Sequence, residues 1–205
     1  MKNDLVCDNV RSDLYKLLSD CYYAPDEKLI GALKAFKESQ NGLTLEVIKN
    51  IPEVDDIVSL KIDYSKLFLG PYKLLAPPYG SVYLEGARRI MGDSTMDVKK
   101  WYRKEGLDIT VREAPDHIAV ELEFMYLLIF REAESMKNKD SNTAFGYCQK
   151  QASFLGMHLG RWVNKFTASV EAGAHQAFYR KLARLTRSFI EEDQRNLTSR
   201  CNSGY

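Results

Sequence analysis

Apolar residues recur at helical spacing along most of the chain. Leu14, Leu17, Leu18 and Cys21 follow the i, i+3, i+4, i+7 rule of an amphipathic helix, which the Ala24-Pro25-Asp26 turn ends. Leu29, Ile30, Leu33 and Phe36 predict a second helix, and weaker helical patterns cover about 43–50 and 53–68. In the latter, Ile57, Leu60, Tyr64, Leu67 and Phe68 make a stripe that must stop at Gly70-Pro71. Residues 94–105 predict another helix, with Ser94 and Asp97 in capping-box spacing and Gly106 as the C-terminal cap.

The last 90 residues or so carry the strongest periodicity. Pro115 or Asp116 opens a helix with Ile118, Leu122, Met125, Ile129, Ala133 and Met136 on one face. Val120, Phe124, Leu127 and Leu128 make its other face apolar too, so it reads as a central, buried helix over 116–137. One further helix runs Cys148, Ala152, Leu155, Leu159, Trp162, Phe166, and a last one uses Phe178, Leu182, Leu185 and Phe189. Sustained period-two alternation and internal repeats are absent. The expected fold is an all-α, single-domain helical bundle of about seven or more helices over 1–192, with a flexible polar tail at 193–205.

One stretch resists this pattern. LFLGPYKLLAPPYGSVYLEG, residues 67–86, holds only Lys73 and Glu85 as charges, yet gathers six helix breakers. It predicts an irregular Pro/Gly-rich connection that is unusually apolar for a loop. Its aromatics either plug the end of the bundle or wall a binding groove in which Tyr79, Ser81 and Tyr83 present hydroxyls. EAPDH, Glu113 to His117, poses a similar choice. Acidic residues and a proline suit the first turn of a helix. Alternatively Glu113, Asp116 and His117, with Glu121 one turn on, form an acidic cluster for a cationic ligand such as an arginine. An apolar wall beside carboxylates would suit a peptide carrying arginines next to an apolar run.

Composition narrows the function further. Twenty-nine Lys and Arg against 28 Asp and Glu leave a formal charge of +1, which offers no basic excess for nucleic acid. No window approaches the ~18 apolar residues of a membrane span, and the N-terminal residues lack a signal-peptide core. Cys7, Cys21, Cys148 and Cys201 sit singly and read as reduced thiols of a cytoplasmic protein. The three histidines, His117, His158 and His175, follow Ala114, Leu155 and Ala172 by three positions, so no Glu-x-x-His metal pair exists. Phosphate-binding glycine loops and a GxSxG elbow are also missing, so no cofactor is expected.

The same segments resemble a known family. YSKLFLGPYKLLAPPYGSVY is similar to the Y-x-x-L-F…PP-[WY]-x-S-V-[WY] block of the TorD/DmsD-like chaperones, and EAPDHIAVELEFM to their E-x-P-D-H block. FLGMHLGRWVNKF and FYRKLARL resemble that family's C-terminal helices, so the likeness covers about 60–190. It implies an all-helical, cytoplasmic, non-enzymatic chaperone. Such a protein would bind the twin-arginine leader and body of a molybdopterin-dependent reductase of the dimethyl-sulfoxide or trimethylamine-oxide type until cofactor insertion is complete. Carried over by position, the peptide-binding residues would be Tyr64, Leu67, Phe68, Pro78, Tyr79, Ser81, Val82, Tyr83, Glu113, Pro115, Asp116 and His117, and the residues' own chemistry adds Glu121. Some relatives carry Trp where Tyr79 and Tyr83 stand. Two other readings stay open: a helical interaction module, monomeric or a helix-exchanged homodimer, and an enzyme using Asp116 and His117 as acid and base.

Overall fold

The computed structural model describes residues 2–39, 52–70, 74–86, 91–107 and 113–203, with side chains from residue 10 onward. Nine α-helices are found among them: α1 (Lys2–Cys21), α2 (Glu27–Ser39), α3 (Ile57–Tyr64), α4 (Gly80–Leu84), α5 (Asp93–Lys104), α6 (Ile118–Lys137), α7 (Ser141–Met157), α8 (Leu159–Gly173) and α9 (Ala177–Ser203). The helix expected at 43–50 and the side chain of Cys7 lie outside the described residues. No strand occurs among the described residues, and the expected all-α bundle is observed.

Helix α6 packs between α1 and α7, while α9 lies along α7 and α8. Burial follows the expected stripes. Leu14, Leu18, Leu122, Met125, Phe154, Phe166 and Leu182 are all at most 2% exposed. Two residues assigned to apolar faces, Ile30 and Met136, are exposed instead. Each lies at the edge of its stripe, where the helix surface turns outward.

Helix ends are satisfied across elements as well as locally. Asp56 caps α3 by accepting from the amides of Val58 and Ser59. Asp63, buried on α3, accepts from the His175 and Gln176 amides at 3.0 and 2.7 Å, and so holds the start of α9. After α3 the chain makes one wider turn, Ser65–Leu69, closed by Gly70 N–H donating to the Ser65 carbonyl five residues back. The Ser94–Asp97 capping box does not form. Ser94 donates through both its amide and hydroxyl to Glu85, and Asp97 instead lies 3.2 Å from His158. Gly106 does end α5, with φ at +72°.

Two further expectations are corrected. The single helix expected through 148–166 is two, because His158 (φ −124°, ψ −99°) breaks the backbone between α7 and α8. The turn is tight enough that a Cβ on Gly160 would lie 2.6 Å from the Leu155 carbonyl oxygen. The polar run from 193 is not a loose tail: α9 continues to Ser203, with Asp193 and Leu197 buried.

A polar network inside the bundle explains that extension. Asp193 accepts from the Arg11 guanidinium and, at 2.7 Å, from the Tyr15 hydroxyl. Arg11 also donates to Gln151 at 2.7 Å, Gln151 donates to Glu132 at 2.6 Å, and Glu132 accepts from Arg200 at 2.7 Å. The chain of contacts joins α1, α6, α7 and α9. Each buried charge meets an opposite charge and further hydrogen bonds, as burial of ionised groups requires.

Candidate peptide-binding site

The irregular stretch and the EAPDH turn meet. Residues 76–84 form a strap over the start of α6, fastened by backbone bonds. The Gly80 amide donates to the Asp116 carbonyl and the Ile118 amide to the Pro78 carbonyl, both at 2.8 Å. Tyr79 and His117 thereby pair as an isolated antiparallel bridge. The Asp116 carboxylate accepts from the Ser81 amide at 2.8 Å, tying the first turn of α4 to the strap's anchor. Upstream, the Ala76 amide donates to the Leu67 carbonyl. The two motifs that the sequence singled out are one structural unit.

Their side chains divide into two sets. Tyr64, Leu67, Phe68, Pro78, Ser81, Pro115, Asp116, His117 and Glu121 are buried. Tyr79, Val82, Tyr83 and Glu113 are half-exposed and form the outer edge of the strap. Phe68 packs in an aromatic cluster with Tyr22, Tyr64, Phe166 and Tyr179, so the YSKLF block plugs the bundle. Tyr64, Leu67, Phe68, Ala76 and Pro78 therefore fill the interior, and the face open to a ligand is narrower than the whole motif. A cavity of about 550 Å³ is found elsewhere, between α2 and residues 52–55, lined by Ile30, Leu33, Lys34, Pro52 and Val54 among others.

His117 is held on every side. Tyr23 stacks parallel to its ring at 6.0 Å and Tyr79 packs edge-on at 5.4 Å. Its Nδ1 accepts from the Ala119 amide at 3.1 Å, making it the N-cap of α6. Burial lowers its pKa to about 4, so the ring is neutral and serves as a cap. Tyr79 directs its hydroxyl toward Glu113 Oε2 at 3.5 Å, a long contact at the rim.

Glu121 does not join the acidic cluster proposed for it. Its side chain is 1% exposed and accepts from Trp162 Nε1 at 3.2 Å. Burial raises its pKa well above the usual carboxylate range, which disfavours the charged form. The carboxylates that meet the strap are Glu113 at the rim and Asp116 beneath it. Asp116 Oδ1 and Ser81 Oγ are both buried and have no hydrogen-bond partner among the described residues. Such orphaned atoms are costly, so the closed strap leaves polar capacity unused.

Three participants were not assigned from the sequence: Tyr23, Gly80 and Trp162. Trp162 lies stacked on Tyr83 (5.7 Å between centroids, planes 15° apart), and a Cβ on Gly80 would come within 3.0 Å of its Nε1. A glycine inside an aromatic block is the signal of such a close approach.

The opposite pKa shifts of His117 and Glu121 make the site's stability depend on pH. For His117 the folded pKa lies below the unfolded 6.5, so its contribution is complete above pH 6.5 and is lost as pH falls toward 4. For Glu121 the folded pKa is raised, so its contribution is complete below the unfolded value and is lost as pH rises. Denaturation of wild type and His117→Asn should therefore diverge by about 3 kcal/mol less at pH 4 than at pH 7.5. Parallel curves would mean that His117 is protonated equally in both states.

Comparison with known proteins agrees with the fold and the motifs. Residues 24–168 match the family model described as nitrate reductase delta subunit. The Tat proofreading chaperone DmsD of Salmonella paratyphi A is 30% identical over 68% of this chain and 62% of its own length. The chain thus spans about three fifths of that relative. The chaperone protein TorD of Shewanella pealeana is 27% identical over 95% of this chain and 93% of its own length. Among solved structures, a protein from Archaeoglobus fulgidus described as a redox enzyme maturation protein superposes with a TM-score of 0.61 at 28% identity, covering 88% of this chain and 93% of that one. With the Tyr64–Tyr83 and Glu113–His117 blocks joined in one unit at the head of α6, the chain belongs to the nitrate reductase delta subunit family, alongside the TorD/DmsD-like chaperones.

Proposed function

We propose that this protein is a non-enzymatic maturation chaperone that binds the twin-arginine leader and body of a molybdopterin-dependent reductase in the cytoplasm, before export. Family membership supports the chaperone class. The observation that supports a peptide ligand is the strap itself: an aromatic edge of Tyr79, Val82 and Tyr83 beside Glu113, with the Asp116 and Ser81 oxygens unpartnered behind it. An arginine at the rim meets Glu113 first. Lifting the strap then exposes Asp116 for a bidentate pair, while the leader's apolar run lies along the tyrosines. His117 takes no catalytic part in this reading, because Tyr23 and Tyr79 enclose its ring and Ala119 occupies Nδ1.

Calorimetric titration with a synthetic leader tests the proposal. Tyr79→Ala, Glu113→Gln or exchange of both leader arginines for lysine should each weaken binding by about 5- to 150-fold, the equivalent of ~1–3 kcal/mol. A leader that does not bind, or that binds all three combinations equally well, overturns the assignment.

A further inference from the structure

The end of α9 carries a second chemistry, separate from the strap. Cys201, half-buried on α9, lies with its sulfur 3.1 Å from that of Cys148, which is buried on α7. The two thiols are 53 positions apart in sequence but face each other where α7 and α9 pack. Beside them the Arg200–Glu132 ion pair, at 2.7 Å, fixes the same turn of α9. That turn also continues the face bearing Asp193 and Leu197, so Cys201 is presented by a helix already anchored one and two turns earlier. The sulfurs need approach by only about 1 Å to bond.

We propose that Cys148 and Cys201 are a reversible dithiol–disulfide pair that responds to hydrogen peroxide and, when oxidised, staples the end of α9 to α7. The half-exposed Cys201 reacts first: its sulfur attacks the peroxide oxygen, the O–O bond breaks, and water leaves with a sulfenic acid formed. The Cys148 sulfur then attacks the Cys201 sulfur, the S–O bond breaks, and a second water carries off the remaining thiol proton. Two thiols are oxidised and one peroxide is reduced to two waters. Burial and the hydrogen bond with Cys201 raise the Cys148 thiol pKa to about 12, which leaves the first attack to Cys201, and the 3.1 Å separation places Cys148 to resolve the sulfenic acid. Thiol reductants reverse the bond.

The test treats the full-length reduced protein with stoichiometric hydrogen peroxide. Intact mass should fall by about 2 Da, two hydrogens, and return with dithiothreitol. Non-reducing peptide mapping should join the Cys148 peptide to the Cys201 peptide. Closing a ring of this size should raise the melting temperature by roughly 5–10 °C. Cys201→Ser should abolish the link and Cys21→Ser should leave it intact. Oxygen addition at Cys201 without a link to Cys148 overturns the proposal. So does a link that joins Cys7, Cys21 or a second chain. The mapping of wild type decides the matter even if a serine variant folds poorly.

Discussion

Asp193→Ala should destabilise the protein by about 3–5 kcal/mol, measured by guanidinium denaturation. The aspartate is 4% exposed and the Arg11 that it meets is 9% exposed. Removing the carboxylate breaks both of its contacts with the buried Arg11 guanidinium, and it strips the Tyr15 hydroxyl of its acceptor. The cost comes chiefly from breaking a buried ion pair, so Arg11→Met combined with Asp193→Leu should recover most of the loss. A single alanine that costs under about 1 kcal/mol would show that water reaches the arginine.

Trp162→Ala should cost a similar ~3–5 kcal/mol and should loosen the strap as well. The indole is fully buried, stacks on Tyr83, packs at a tilt against Phe166, and supplies the N–H that Glu121 accepts. Alanine would open a void beneath α4 and deprive a buried carboxyl of its donor. Trp162→Phe separates the two losses: it keeps most of the volume and should cost about 1–3 kcal/mol for the missing hydrogen bond. If both variants melt with wild type, Trp162 does not support the strap.

Much of the bundle was legible because burial in helices leaves a 3.6-residue signature. Leu14 to Cys21 and Ile118 to Ile129 show it plainly, and both stripes are buried. The break at His158 left no such mark. Leu155 and Leu159 stay four apart on either side of it, so the pattern runs on while the backbone turns. The end of α9 failed for another reason. Phe189, Asp193, Leu197 and Cys201 follow steps of four, but the charged member hides the stripe, and the arginine that neutralises it stands 182 residues away. No local reading of hydrophobicity sees such a partner. The site shows the same division. Its two segments were identifiable from residue types, yet which tyrosines and carboxylates face inward was decided by Trp162, Tyr23 and Gly80 packing against them.

The bridge between Tyr79 and His117 has a kinetic consequence. Any ligand that reaches Asp116 must wait for the Gly80 and Ile118 amides to let go, because collision alone does not uncover a carboxylate sealed beneath them. Observed association rates should then level off at high peptide concentration, and the plateau is the frequency at which the latch springs. Deuterium uptake at those two amides reads the same frequency with no peptide in the tube.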